Sequence, residues 1–348
     1  MFRYLVRRLL WAAVLFIAVT VVTYVIFFIV PANPARLAAG QRATPDKIKQ
    51  AEHFLGTDKP VYVQYGRFLW RLVYHQSLGR SFQNRQSINS IVGDAAPVTA
   101  SLVFGGVIFW MAVAIPIGIL SALRPRSLLD RIAMIFVLIG ISAHPVWIGL
   151  ILAYTFGYKL GWTPITGYCD FINPSTDCGG PVQWAYHMIL PWTTFAILFA
   201  ALYVRMIRAN VMEALGEEYV RTARAKGAPE WVVMRSHVLR NAMLQPLTMI
   251  GMEIGLALTV AIYIETMFSL HGAGELAIGS LGFASGTATG GEFVSGGSVG
   301  GAFNLPVLAG VMFMIALTVI VLNLIVDVTY AMLDPRIRLS GRSVEATG

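Results

Sequence analysis

Long apolar runs separated by shorter polar ones dominate the chain. Six of them, Leu9–Val30, Pro97–Leu123, Ile132–Tyr158, Met188–Ile207, Pro246–Phe268 and Leu305–Met332, reach the ~20 residues a helix needs to cross about 30 Å of hydrocarbon. The pattern predicts an all-α, polytopic helical membrane protein with six transmembrane helices. The first run is free of charge and follows Arg3, Arg7 and Arg8, as a secretory signal peptide would. A signal peptide's apolar region covers only about 7–15 residues and ends at a small-residue cleavage site. This run is longer and no such site follows it cleanly, so a retained helix is expected.

Three polar stretches between the spans differ in kind. In segment 31–96, Thr44 and Pro45 read as the N-cap and first residue of a short helix ending near Gly56. Pro60 opens a second helix, in which Tyr62, Tyr65, Phe68, Leu69, Leu72 and Val73 recur at helical spacing. Its apolar face is expected to bury against the membrane interface or an outside partner. Glu218–Asn241 is a basic island of 24 residues. Small residues at Thr222, Ala223, Ala225 and Gly227 keep its helix surface low, and Arg221, Arg224, Lys226, Arg235 and Arg240 supply orienting charge. That combination reads as a docking element for a cytoplasmic partner. The third stretch, Gly279–Gly301, holds nine glycines and too few large side chains to offset its ordering entropy by burial. Its Gly296-Gly297-Ser298-Val299-Gly300 matches G-x-S-x-G without the strand and helix that motif requires, so it is composition and not a nucleophile.

Composition agrees with the class: 56% hydrophobic and 13% charged residues, against roughly 25% charged in soluble domains, with a mean hydropathy of +0.66. The N-terminus, Ser121–Arg131, Arg205–Gln245 and the tail from Asp334 together hold 16 Lys and Arg. The opposite short loops hold only Lys159. Segment 31–96 carries nine, but long translocated segments largely escape the positive-inside rule. Both termini and the island are therefore expected in the cytoplasm of a multi-pass plasma-membrane protein. The net charge of +8 follows from topology and does not call for nucleic acid.

Cys169 and Cys178 fall together in the second external loop, where an oxidising compartment permits a disulfide; two free thiols are the alternative. Two thiols without nearby histidines do not complete a tetrahedral shell, so no metal is expected. Inside the spans lie His144, Glu253, Glu265, Asn323 and Asp327. An ionised group at the bilayer centre costs about 2.5–3.5 kcal/mol on insertion scales. Glu253 is the deepest, between Gly251 and Gly255 at a spacing that permits close helix contact. It is either a translocation-path residue or a protonated or paired packing residue. Glu265 and Asp327 lie near opposite membrane edges, where snorkelling and interfacial water lower the cost, and structural roles are expected for both. His144-Pro145 is expected to bend the third span, with the histidine supplying a donor to a freed carbonyl. Neither G-x-x-x-x-G-K-[ST] nor H-E-x-x-H occurs, so this chain is read as a noncatalytic conduit driven from elsewhere.

The island Tyr219-Val220-Arg221-Thr222-Ala223-Arg224-Ala225-Lys226-Gly227, followed by His237, Leu239 and Arg240-Asn241-Ala242, resembles the coupling motif of bacterial ABC importer permeases. Thr222 stands where the general motif has Glu, and Arg240 where it has Pro, as in the dipeptide/oligopeptide branch. Val30-Pro31-Ala32-Asn33-Pro34-Ala35, Leu55–Tyr65, Leu78–Phe82 and Leu333-Asp334-Pro335-Arg336 are similar to that branch's first permease subunit. The resemblance covers roughly residues 1–338, and the Gly-rich 279–301 stretch exceeds the loop expected there. It implies a type I ABC importer permease fold with an external helical insert. The organisation is then 1–30 first helix, 31–96 external subdomain, 97–335 transmembrane domain with coupling loop 209–245, and 336–348 tail. The implied coupling residues are Glu218, Tyr219, Arg221, Thr222, Ala223, Arg224, Ala225, Lys226, Gly227, Leu239 and Arg240. The implied partners are a second homologous permease, two cytoplasmic ATPase subunits that carry ATP and Mg, and an external substrate-binding protein. Uptake of di- and oligopeptides is the expected function, with nickel-chelate or glutathione uptake as the alternative. A channel or secondary transporter leaves the island without a task, and an intramembrane enzyme built on Glu253 and His144 lacks any supporting motif.

Overall fold

The computed structural model describes residues 2–31, 33–40, 43–81, 85–171, 178–281 and 303–333. The G-x-S-x-G match and the tail beyond Leu333 lie outside them, as does the Asp327 side chain. Every regular element among the described residues is helical. The only pairings of strand type there are isolated bridges, Arg80 with Ser87 and Asp170 with Gly179. In chain order the helices are α1 (Phe2–Tyr24, continued by a π-helical turn Val25–Ile29), α2 (Pro34–Ala39), α3 (Pro45–Leu55), α4 (Val61–Tyr74), α5 (Ile88–Leu123) and α6 (Leu128–Ser142). There follow α7 (Pro145–Leu152, then a π-helical stretch Ala153–Lys159), α8 (Pro181–Gly216), α9 (Glu218–Ala225), α10 (Glu230–Val232, then a π-helical turn Val233–Val238), α11 (Leu239–Ala242), α12 (Leu244–Phe268), α13 (Ala273–Ser280) and α14 (Leu305–Leu333).

Five helices are long and apolar enough to cross a membrane, and a bent pair makes the sixth candidate. That pair corrects the expected continuous span Ile132–Tyr158. Its halves, Leu128–Ser142 and Pro145–Lys159, meet at 115°, which is a break and not a kink. The residue before a proline is driven from helical to extended backbone, and His144 sits at φ −78°, ψ 140°. Pro145 then takes the first helical position, where its missing N–H costs nothing. His144 also acts in the sense opposite to expectation, because its Nδ1 accepts the Val146 N–H at 3.4 Å.

The chain forms two compact units. The first joins residues up to Thr99 with those from His271 onward, so it does not follow the boundary at 96/97. Its core gathers Ile88, Ile91, Val92 and Ala95 of α5, Ala273 and Ala277 of α13, and Val307, Leu308 and Val311 of α14. Thr99 Oγ1 accepts the Ala273 N–H at 2.8 Å and so caps the start of α13. The short helices of 31–96 are fastened to this unit. Tyr24 donates to Gln64 Oε1 at 2.6 Å, Thr20 and Tyr65 hydroxyls meet at 3.0 Å, and Asn304 donates to Ser81 Oγ at 3.0 Å. Tyr65 and Phe68 of the apolar face of α4 pack against Tyr24 of α1, while Tyr62 and Val73 of the same face stay exposed. Thr44 stands at the start of α3 without a side-chain cap bond, although Pro45 does open that helix.

The second unit spans Ala100–Leu270. α8 is its axis, and α6, α7 and α12 pack on it. Gly140 of α6 sits where a Cβ would collide with the Ile197 carbonyl and Ala201 of α8, so the close α6–α8 approach requires glycine. Trp110, Phe195, Phe199 and Tyr203 form an aromatic core, with Trp110 stacked on Phe199 at 4.6 Å. Cys169 and Cys178 are joined as a disulfide with Cα atoms 5.3 Å apart. His187 Nδ1 lies 3.2 Å from Cys169 Sγ, which corrects the reading that no histidine stands near the two thiols.

Candidate coupling site

The basic island folds into a small structure of its own on the end of α8. α8 stops at Gly216, and Glu217 turns to extended backbone at φ −71°, ψ 147° before α9 begins. Glu218 stands in the first turn of α9 and Arg224 in its last, the arrangement that the helix dipole favours. α9 ends in a Schellman motif: Ala228 N–H donates to Ala223 O at 3.2 Å and Gly227 N–H to Arg224 O at 2.9 Å. Gly227 supplies the left-handed residue of this motif at φ +78°. It therefore lies beyond the helix and serves the turn, which corrects its reading as part of the helix surface.

α9 is two-faced. Val220 and Ala223 are buried, against the buried Val233 and Val238 of the following π-helical turn and the end of α8. Ala223 thus belongs to the inner face, which corrects its place among the surface-lowering residues. Arg221, Thr222, Arg224, Ala225, Lys226 and Gly227 are exposed, Tyr219 and Leu239 are half-buried, and Arg240 is exposed. Part of the charge is held internally. Arg221 Nη1 lies 2.8 Å from Glu218 Oε1, and Arg224 Nε lies 2.7 Å from Glu230 Oε1. Lys226, Arg235 and Arg240 enter no ion pair among the described residues.

The island is rooted by contacts that the sequence does not signal. Asn210 Nδ2 of α8 donates to Ala242 O of α11 at 3.2 Å. Arg208 of α8 makes a two-pronged pair with Asp130, Nε–Oδ1 2.7 Å and Nη2–Oδ2 3.0 Å. Asp130 also accepts from Arg126 N–H at 2.8 Å and from the Ser121 hydroxyl. Its own N–H donates to Ser127 Oγ, the cap of α6. One carboxylate thereby locks the 121–131 turn to α8. Trp231, 69% exposed, also escaped the sequence reading. Large exposed aromatic side chains are enriched at interfaces.

The intramembrane polar groups separate. Glu253 is half-buried on α12, next to buried Gly251 and Ile254. Glu265 is fully buried within the protein. Asn323 is exposed on α14. His144 caps α7 and meets Tyr263 edge-on at 5.5 Å. Glu253 and His144 are not brought into any common site among the described contacts.

Long apolar helices, together with a polar island rooted on α8, define the class: a multi-pass membrane protein. Residues 114–339 match the family described as binding-protein-dependent transport system inner membrane component. Residues 1–103 match its N-terminal companion. The chain belongs to this family. It is similar, at 33% identity over 97% of its length and 99% of the relative's, to the dipeptide transport system permease protein DppB of Escherichia coli (strain K12). It is also 30% identical, over 96% of its length and 98% of the relative's, to a Brucella abortus (strain 2308) chain provisionally named a peptide transport system permease protein. A further relative, 31% identical over 97% of this chain and 98% of its own, is an Escherichia coli (strain K12) protein provisionally named a D,D-dipeptide transport system permease.

Proposed function

We propose that the chain is the permease subunit of an ATP-driven importer of di- and oligopeptides, and that α9 is its coupling helix. The observation that carries the proposal is the division of α9 into a buried face on its own unit and an exposed face of Arg221, Thr222, Ala225 and Lys226. A helix held on one side and open on the other transmits a push without deforming. The names of the peptide-transport relatives support the substrate class. ATP and Mg bind on two separate ATPase subunits, one of which receives α9 together with Tyr219, Leu239 and Arg240. A second permease completes the path, and an external binding protein delivers the peptide. The positive-inside asymmetry puts both termini and the island on the ATPase side, with segment 31–96 and the Cys169–Cys178 loop opposite. Glu253, half-buried at mid-span, faces the translocation path.

ATP-bound and ATP-free ATPases differ in their contacts with α9, and a two-state permease shifts only through such differential contacts. The rooting of α8 by Asp130 and Asn210 carries that shift from island to spans as a rigid movement. The test replaces Ala225, which is exposed, helical and away from the path. In vesicles containing the reconstituted complex, Ala225→Trp lowers ATP-dependent uptake of labelled di- to pentapeptides at least about tenfold, equivalent to ~1.4 kcal/mol of coupling. Membrane insertion of the chain stays unchanged. Undiminished uptake, or uptake without any ATPase subunit, overturns the proposal.

A further inference from the structure

The first unit contains a cavity of about 310 Å³ that the transport reading does not use. This lies at the lower end of the ~300–1,000 Å³ usual for ligand clefts. Its lining combines the aromatic and aliphatic side chains of Phe28, Phe54, Phe68 and Leu78 with the guanidinium groups of Arg71 and Arg80. Arg85 stacks over the Phe54 ring at 4.8 Å from its centroid and adds a third guanidinium beside the aromatic wall. The cavity is built and not incidental. Leu78 N–H donates to Asn89 Oδ1 at 2.8 Å, Gly79 N–H to Ser77 Oγ at 3.2 Å, and Ser77 N–H to Arg71 O at 3.1 Å. These bonds hold the 77–80 wall in place.

Its depth follows from the elements that line it. Phe28 belongs to the final turn of the first membrane helix, and Pro306 and Ala309 to the opening turns of the last. The remaining walls come from α3, α4 and the loop after α4. The cavity therefore opens where hydrocarbon gives way to the polar headgroup layer. A site at that level, lined by both aromatic side chains and two guanidinium groups, matches a molecule that carries an apolar chain and a negative charge. Segment 31–96 as a whole carries nine basic and four acidic residues. That excess has no topological cause on a translocated segment, yet it complements an anionic membrane surface. Guanidinium groups suit phosphate because their N–H forks match its oxygens.

We propose that this cavity is a binding site for one anionic phospholipid, its phosphate held by Arg71 and Arg80 and the start of one acyl chain lying among Phe28, Phe54 and Phe68. The site is independent of the transported substrate and does not rest on the function of α9. A lipid seated there ties the 31–96 helices to the membrane surface and to the ends of the first and last spans.

The test uses the full chain purified in detergent micelles, with phosphatidylglycerol, phosphatidylcholine and inorganic phosphate as separate probes and native mass spectrometry as the readout. Phosphatidylglycerol is expected to be retained at least about tenfold more tightly than phosphatidylcholine, as befits a pair of charge-assisted contacts. Arg71→Gln/Arg80→Gln removes that preference, whereas Lys47→Gln/Lys49→Gln, on exposed positions of α3, leaves it intact. Cooperative thermal unfolding verifies that each variant is folded. If the double variant does not unfold cooperatively, Arg80→Gln alone carries the test, with a fall of about threefold or more in the preference. Equal retention of the two lipids, or equal loss in the lysine variant, overturns the site as mere surface electrostatics. Displacement of the lipid by inorganic phosphate alone overturns the part given to the acyl chain.

Discussion

The two polar helical stretches of this chain, segment 31–96 and the island that follows α8, are similar in composition and opposite in construction. Both are short helices with excess basic charge between apolar spans. The first is fastened to the spans of its unit by side chains: Tyr24 to Gln64, Thr20 to Tyr65 and Asn304 to Ser81, with aromatic rings filling between them. The second packs partly on itself, with Val220 and Ala223 of α9 and Val233 and Val238 of the π-helical turn all buried, and also rests on the end of α8, where Asn210 donates to Ala242 O. A segment stapled along its length resists displacement, whereas one braced internally and rooted at its base moves as a unit. On the proposed function, that difference would separate an external cover from a coupling lever.

The sharpest way to break this comparison is at the base of the lever. Asp130 is buried, holds Arg208 with both oxygens, and also accepts from Arg126 N–H and Ser121. Asp130→Ala leaves a guanidinium without its carboxylate, a change that costs about 3–5 kcal/mol in buried pairs. Because the Arg208 side chain keeps 24% exposure, the lower end of that range is expected, about 3 kcal/mol. Denaturant unfolding of the full chain in micelles measures it. A loss below about 1 kcal/mol, the scale of an exposed pair, means that the 121–131 turn is held by packing alone and the lever has no ionic root.

A smaller effect tests the other half of the comparison. Tyr24→Phe removes the bond to Gln64 Oε1 but keeps the ring among Tyr65 and Phe68. Gln64 retains its donor contact with Lys59 O at 2.5 Å. The expected loss is about 0.5–1.5 kcal/mol. Hydrogen exchange should place the change in α4 and leave α9 unaffected. Equal deprotection of both stretches removes the mechanical distinction between them.

Which parts of this design were legible in the sequence depends on the range of the interactions. Hydrophobic runs and prolines act locally, so the membrane helices, the start of α3 at Pro45 and the island's position could be read directly. The break at Ser142–Pro145 was visible as a proline but not in size, because the 115° angle depends on what the two halves pack against. Pairings between distant residues carry no local pattern. Nothing in the spacing of Asp130 and Arg208, 78 residues apart, marks them as partners. Gly227 was found for the wrong reason: its smallness was noticed, while its role at φ +78° follows from the hydrogen bonds that close the helix.

The smallest effect concerns the surface of the lever itself. Arg224 and Glu230 join α9 to α10 across the turn at Gly227, with side-chain exposures of 42% and 68%. A pair so open to solvent contributes only about 0.2–1 kcal/mol. Comparing Arg224→Gln, Glu230→Gln and both together isolates this coupling energy, and about 1 M salt, with a Debye length of ~3 Å, should nearly abolish it. Coupling that persists in high salt requires the pair to be shielded, which its exposure in the isolated chain does not provide. Such a result points to a docked partner covering α9 and α10, so the same cycle repeated with the ATPase subunits present reports directly on whether this face is where they bind.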